Sequence, residues 1–162
     1  MLKKVISGGQ TGADQAGLKA AKACGLETGG WLPNGCITLE GNCPELLAEY
    51  GMKEHPRSGY PARTEANVKD SDGTIRFAKH FSSAGEKCTL RAIRWFNRPY
   101  LDVHVDSLPP VAEVVGWIKT NNIQVLNIAG NSEQTAPGIG EIVTSFLLSV
   151  FAAIHEDEDG SA

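Results

Sequence analysis

Val5-Ile6-Ser7-Gly8-Gly9-Gln10-Thr11-Gly12-Ala13-Asp14 is the stretch on which the reading of this chain turns. A short β-branched run ends in clustered glycines, and a segment with apolar Leu18, Ala21 and Leu26 follows, so the order is strand, tight loop, helix. Glycines let a backbone turn sharply and come close to a ligand, and the free N–H groups that open a helix attract an anion. Phosphate is the natural guest. This is not a Walker A loop, because no Gly-Lys-Ser/Thr closes it. Nor is it the dinucleotide fingerprint, because glycines at 8, 9 and 12 do not follow G-x-G-x-x-G. The competing reading is a tight turn that binds nothing. Gln10 and Thr11 at its tip favour binding, while Asp14 also suits the first turn of any helix through the macrodipole.

With 162 residues, 41% hydrophobic and 21% charged, the chain is sized and composed for one globular domain. A formal charge of −4 argues against non-specific nucleic-acid binding, which needs a basic surface. Part of that charge is the run Glu156-Asp157-Glu158-Asp159, so a domain over 1–155 and a frayed acidic tail over 156–162 are expected. Met1-Leu2-Lys3-Lys4 leads straight into the first strand, and no apolar stretch reads as long enough to span a membrane. The expectation is a cytoplasmic protein with no membrane partner. Cys24, Cys36, Cys43 and Cys88 form no CxxC pair; Cys24 reads as a small core residue, and Cys36 and Cys43 share a loop in which a metal or a disulfide is an open alternative.

After the first helix, Gly25 reads as its stop and Glu27-Thr28-Gly29-Gly30-Trp31 as a second strand. From Leu32 to Arg63 periodicity is lost and prolines and glycines accumulate, as in an ordered functional loop. Arg63 to Asp70 reads as a short helix with Thr64 as N-cap. Arg63 ahead of it suits either a ligand phosphate or a bridge to Asp70 or Asp72. Further strands are read at Thr74-Ile75-Arg76-Phe77, Pro99 to Val103 and Gln124 to Gly130, with helices from Cys88, after Pro109-Pro110, and from Ile139 onward. Short apolar strands alternating with helices imply a single Rossmann-like three-layer α/β/α domain with a mostly parallel sheet of about five strands. The glycine loops at 8–12, 82–86 and 130–138 each follow a strand and precede a helix, so they meet at one edge and share one site. Apolar Phe146, Leu147, Leu148, Val150 and Phe151 exceed a single stripe on the last helix, which suggests a homo-oligomer if some stay uncovered.

Several segments together resemble one family: Ser7-Gly8-Gly9-Gln10-Thr11-Gly12, Gly29-Gly30-Trp31, Tyr60 with Arg63-Thr64-Glu65, Asn67-Val68 with Asp70-Ser71-Asp72-Gly73-Thr74, Val125 to Gly130, and Pro137-Gly138-Ile139. They look like those of the proteins called putative molybdenum cofactor carriers, within the LOG-like group of Rossmannoid proteins. The resemblance implies a bound molybdenum cofactor (molybdopterin), with molybdoenzymes as recipients. The binding residues it suggests together with the loops are Gly8, Gly9, Gln10, Thr11, Gly12, Asp14, Trp31, Arg63, Thr64, Asn67, Asp72, Gly85, Thr89, Gly130 and Gly138. Trp31 either stacks on a ligand ring or packs in the core or against a subunit.

The chain departs from the family pattern in lacking a cation near Gln15 and a lysine near Asn34, and in carrying Gly140 where a tyrosine is usual. It also reads Ala84-Gly85-Glu86 in place of Gly-Gly-Thr; a carboxylate there repels phosphate, so either Glu86 points away or the ligand differs. Two other functions compete with the carrier. A LOG-like nucleoside monophosphate phosphoribohydrolase needs a carboxylate, for which Asp72 and Glu86 are candidates, although the Pro-Gly-Gly-x-Gly-Thr-x-x-Glu signature is absent. A nucleotide sensor needs a partner that nothing in the sequence names.

Overall fold

The computed structural model describes residues 1–160. Its centre is a sheet of β1 (Lys4–Ser7), β2 (Glu27–Gly29), β7 (Gly73–Ala78), β8 (Tyr100–His104) and β9 (Val125–Gly130) in the order β2-β1-β9-β7-β8, all neighbours parallel. The inner strands β1, β9 and β7 are short, mainly apolar and largely buried, as strands covered on both faces must be, whereas the edge strands β2 and β8 are more exposed and more polar. The five strands read from the sequence are these five.

The crossovers fix the layers. From β1 the chain passes through α1 (Ala13–Ala23) outward to β2, from β7 through α4 (Ala84–Phe96) outward the other way to β8, and from β8 through α5 (Val111–Thr120) back to β9. Right-handed connections then put α1 and α5 on one face and α4 on the opposite one. The closing helix α6 (Ile139–Asp159) packs on α1 and α5, and α3 (Tyr60–Lys69) packs on α4. Because side chains alternate along a strand, Ile75, Phe77, Leu126 and Ile128 enter the main core under α1, α5 and α6. Thr74, Arg76 and Asn127, buried and polar, alternate to the α3–α4 side. That unequal division of the sheet is what makes a site possible.

The stretch without periodicity is ordered by tertiary contacts. β3 (Trp31–Leu32) pairs in parallel with β6 (Lys53–Glu54), β4 (Ile37–Thr38) runs antiparallel to β5 (Gly41–Asn42), and α2 (Glu45–Tyr50) follows. Leu18, Leu32, Cys36, Cys43, Leu46, Tyr50 and Met52 form a second small core beneath them. Both loop cysteines are therefore apolar filling: neither is disulfide-bonded, the Cys36 thiol lies 3.6 Å from Glu54 Oε2, and the Cys43 sulfur lies 3.4 Å from Thr38 Oγ1. Burial and Glu54 push the Cys36 thiol pKa up. Among the described residues no group of three or more His, Cys, Asp or Glu is placed to hold a metal.

Four expectations are corrected. Thr64 is not an N-cap, because the helix begins four residues earlier at Tyr60 with Pro61 in its first turn. Trp31 does not extend the second strand; it belongs to the separate β3–β6 pair. The acidic run continues α6 as far as Asp159, with Lys119 Nζ donating to Asp157 Oδ2 at 2.6 Å, while residues 161–162 of the expected tail lie outside the described residues. Finally, α6 with its 21 residues is long and apolar enough to cross a membrane by length and composition. Here its apolar face is spent inside the chain: Phe146, Leu147, Val150 and Phe151 are buried, and of the run that suggested an oligomer only Leu148 stays exposed, at 37%.

Candidate functional site

The carboxyl ends of β1, β9 and β7 lie side by side, and the chain leaves β1 toward one face and β7 toward the other. A cavity of about 430 Å³ opens there under α3 and α4. This is the kind of crevice in which open parallel sheets hold ligands.

Gly8 forms its floor at the end of β1, and Arg63 of α3 lies across it. A Cβ at Gly8 would stand 2.6 Å from Arg63 Cζ, so only glycine lets the guanidinium rest there. Arg63 Nη1 donates to Thr64 Oγ1, and the guanidinium sits 5.2 Å from the Tyr60 ring centroid. Its Nη2 approaches Asp14 Oδ2 at 3.9 Å, so the bridge that exists is to Asp14 and not to Asp70 or Asp72. Arg63 Nε is buried with no hydrogen-bond partner. A buried donor of a cation left unmatched costs free energy until an acceptor arrives.

Asp14 is itself buried. It accepts the Gln10 N–H at 3.2 Å, and desolvation lifts its pKa from 3.8 to about 6 despite the opposing pull of Arg63. Glu86, 4% exposed, faces the same cavity, and its charge adds to the rise. Its orientation is set at the start of α4: Glu86 N donates to the N-cap Ser83 Oγ at 3.3 Å, Ser83 Oγ donates to Glu86 Oε2, and Asn131 Nδ2 donates to the same oxygen at 3.0 Å. The carboxylate therefore does not point away from the site.

Of the residues expected to bind, Gly8, Gln10, Asp14, Arg63, Thr64 and Asn67 line this cavity, as do Gly85, Thr89 and Gly130. Asn67 also clamps β3, with Oδ1 accepting the Trp31 N–H at 2.9 Å and Nδ2 donating to Trp31 O at 3.2 Å. The others lie elsewhere. Gly9 faces Leu32 and Met52 of the second core, Thr11 bonds Gln134 Oε1 at 2.7 Å, Gly12 abuts the backbone of Asn131, and Gly138 donates to Glu133 Oε1. These four shape the loops around the cavity without lining it. Trp31 donates from Nε1 to Asp70 Oδ2 at 2.8 Å and packs edge-on to His55, away from the cavity. Asp72 lies at the opposite edge of the sheet, where its Oδ2 accepts from Gln124 N at 3.0 Å and Val125 N at 2.8 Å. It precedes a strand instead of following one, so it cannot join the site.

Two buried polar residues escaped the sequence reading. Arg76 in β7 makes a two-pronged pair with Asp102 of β8, both contacts 2.7 Å, and donates to Glu86 O at 2.8 Å, which ties the start of α4 to the sheet. Asn127 in β9 donates to Thr74 Oγ1 at 3.2 Å, while its Oδ1 is buried without a partner. The signal was a polar residue inside an otherwise apolar strand.

A family described as circularly permutated YpsA SLOG matches residues 5–151, a span that takes in all of the main sheet but Lys4, and both walls of the cavity. The chain belongs to that family. This SLOG member is also similar to a solved structure from Syntrophus aciditrophicus SB described as "Putative molybdenum carrier protein", with 36% identity, a TM-score of 0.82, and coverage of 93% of this chain and 94% of that one. No curated protein matches the chain significantly.

Proposed function

We propose that this SLOG-family chain binds a small phosphate-bearing ligand, pterin or nucleotide-like, over the carboxyl edge of its sheet, and that its cargo is the molybdenum cofactor. The observation that carries the reading is Arg63, laid on Gly8 at the end of β1 with a buried, unmatched Nε beside the crevice at the strand ends. A phosphate oxygen is the acceptor that such a guanidinium lacks. The name borne by the similar structure from Syntrophus supports the cargo. With no metal-holding side-chain cluster among the described residues, the protein's grip falls on the phosphate and the organic part. Gly8, Gln10, Asp14, Arg63, Thr64, Asn67, Gly85, Thr89 and Gly130 form the wall, and the carrier works in the cytoplasm, passing its cargo to molybdoenzymes.

The test is a pterin-fluorescence titration with molybdopterin released from a molybdoenzyme, comparing the natural chain with Arg63→Met. Charge-assisted hydrogen bonds contribute about 1.5–3 kcal/mol, so Arg63→Met should bind about tenfold to a hundredfold more weakly. Equal affinity in the variant contradicts the assignment.

A further inference from the structure

Three helices begin at the edge where the cavity opens, and each meets a carboxylate of its own chain. Asp14 accepts from Gln10 N–H before α1, Glu86 N at the start of α4 is taken by Ser83 Oγ with the Glu86 carboxylate bonded to that same hydroxyl, and Glu133 accepts from Gly138 N at 2.5 Å and Gly140 N at 3.1 Å at the start of α6. Several of the backbone N–H groups that a phosphate would collect at this edge are thus taken from within. Loop donors are taken as well: Gly9 N goes to Ser7 Oγ, Thr11 N to Gln10 Oε1 and Ala13 N to Asn131 O. Among the described residues Arg63 is the single cation in the cavity wall, facing Asp14 and Glu86.

The inner wall is rich in acceptors. Asn127, 3% exposed, presents an unpartnered Oδ1, and Glu86 keeps Oε1 for a ligand while Oε2 is held by Ser83 and Asn131. A buried acceptor without a donor is as costly as a buried donor without an acceptor, so the cavity calls for N–H or O–H groups there.

We infer that the cavity selects a ligand with a donor-bearing end, which meets Asn127 Oδ1 and Glu86, and with a single anionic group at Arg63, and that it discriminates against polyphosphates. This rests on the binding reading above and narrows it. The donors can come from the amino and ring N–H groups of a heterocycle or from sugar hydroxyls. Glu86 is then a specificity residue of this cavity.

Calorimetric titration at one pH with 6-hydroxymethylpterin phosphate, adenosine monophosphate, ribose 5-phosphate, adenosine triphosphate and inorganic phosphate tests it. Glu86→Gln keeps an amide oxygen that can accept from the Ser83 hydroxyl and from Asn131 Nδ2, so the fold is retained. Asn127→Leu, checked by circular dichroism, is the second variant. The natural chain should bind at least one donor-bearing monophosphate about tenfold or more above inorganic phosphate, and the triphosphate more weakly than the monophosphate. Glu86→Gln should shrink that margin while leaving inorganic phosphate unchanged or tighter, and a folded Asn127→Leu should shrink it too. A loss confined to the pterin and adenosine compounds names the ring as donor; a loss shared by ribose 5-phosphate names the hydroxyls. An unchanged margin in Glu86→Gln, or tighter binding of the triphosphate, overturns the inference and leaves the binding reading standing. If the natural chain binds none of the compounds, both fall.

Discussion

At the scale of single residues the chemistry is concentrated in a few buried charges. Asp14 holds its proton to about pH 6 when folded, against 3.8 as an ordinary carboxyl, so the folded state binds the proton more tightly than the unfolded state does. Stability from this group is therefore full below about pH 4 and is lost as pH rises toward about 6. The gap corresponds to about 3 kcal/mol. Asp14→Asn removes the charging step, so its stability relative to the natural chain should grow between pH 4 and pH 7. Thermal melts at both pH values would show this, and a difference that stays constant with pH would contradict it. The Arg76–Asp102 pair makes a second prediction. Arg76 is 2% exposed and Asp102 31% exposed, so deleting the carboxylate strands a buried guanidinium. Asp102→Ala should cost about 3 kcal/mol in urea unfolding, and Arg76→Met distinctly less, since it removes charge and need together.

At the scale of elements, the helix that carries the specificity residue is held by its first turn. Ser83 caps α4 and Arg76 grips the Glu86 carbonyl beneath it, so Ser83→Ala should destabilise the protein by about 1 kcal/mol, read as a lower urea midpoint with unchanged slope. The same scale shows what was legible beforehand. The main strands were legible as short segments with apolar or β-branched residues next to glycine or proline, most clearly in β1, β7 and β9, and the loops after β1, β7 and β9 could only fall on one edge once the strands were parallel. The two-residue strands between Trp31 and Glu54 could not be read, because they exist only through their pairing and the small core of Leu32, Cys36 and Met52. Thr64 drew the helix start too late because a good capping residue competed with the Tyr60-Pro61 start. Asn127 and Arg76 were missed because periodicity ranks apolar residues and passes over the polar one between them.

At the scale of the whole molecule, the two faces of the sheet serve different ends. One face is closed by α1, α5 and α6 over a continuous apolar core, and the other keeps polar residues under α3 and α4, where the cavity opens at the strand ends. The long apolar α6 belongs to the closed face, where α1 and α5 cover its buried side, and this accounts for its composition. The family match over residues 5–151 covers both faces. Of the residues singled out from the sequence, those of α3 (Arg63, Thr64 and Asn67) and Gly8, Gln10 and Asp14 around the first loop line the cavity. Asp72 and Trp31 do not line it, and their side chains are engaged elsewhere.

The central claim is that this edge holds a phosphate-bearing small molecule on the Gly8–Arg63 cradle. Native mass spectrometry of the purified chain, followed by denaturation and identification of what is released, tests it most directly when run beside Gly8→Ala, whose Cβ would displace the guanidinium. The account predicts one phosphate-bearing pterin or nucleotide per chain, retained by the natural protein and lost from a folded Gly8→Ala. A chain that carries no such molecule and takes up none when it is supplied, or a Gly8→Ala variant that retains it undiminished, would contradict the account.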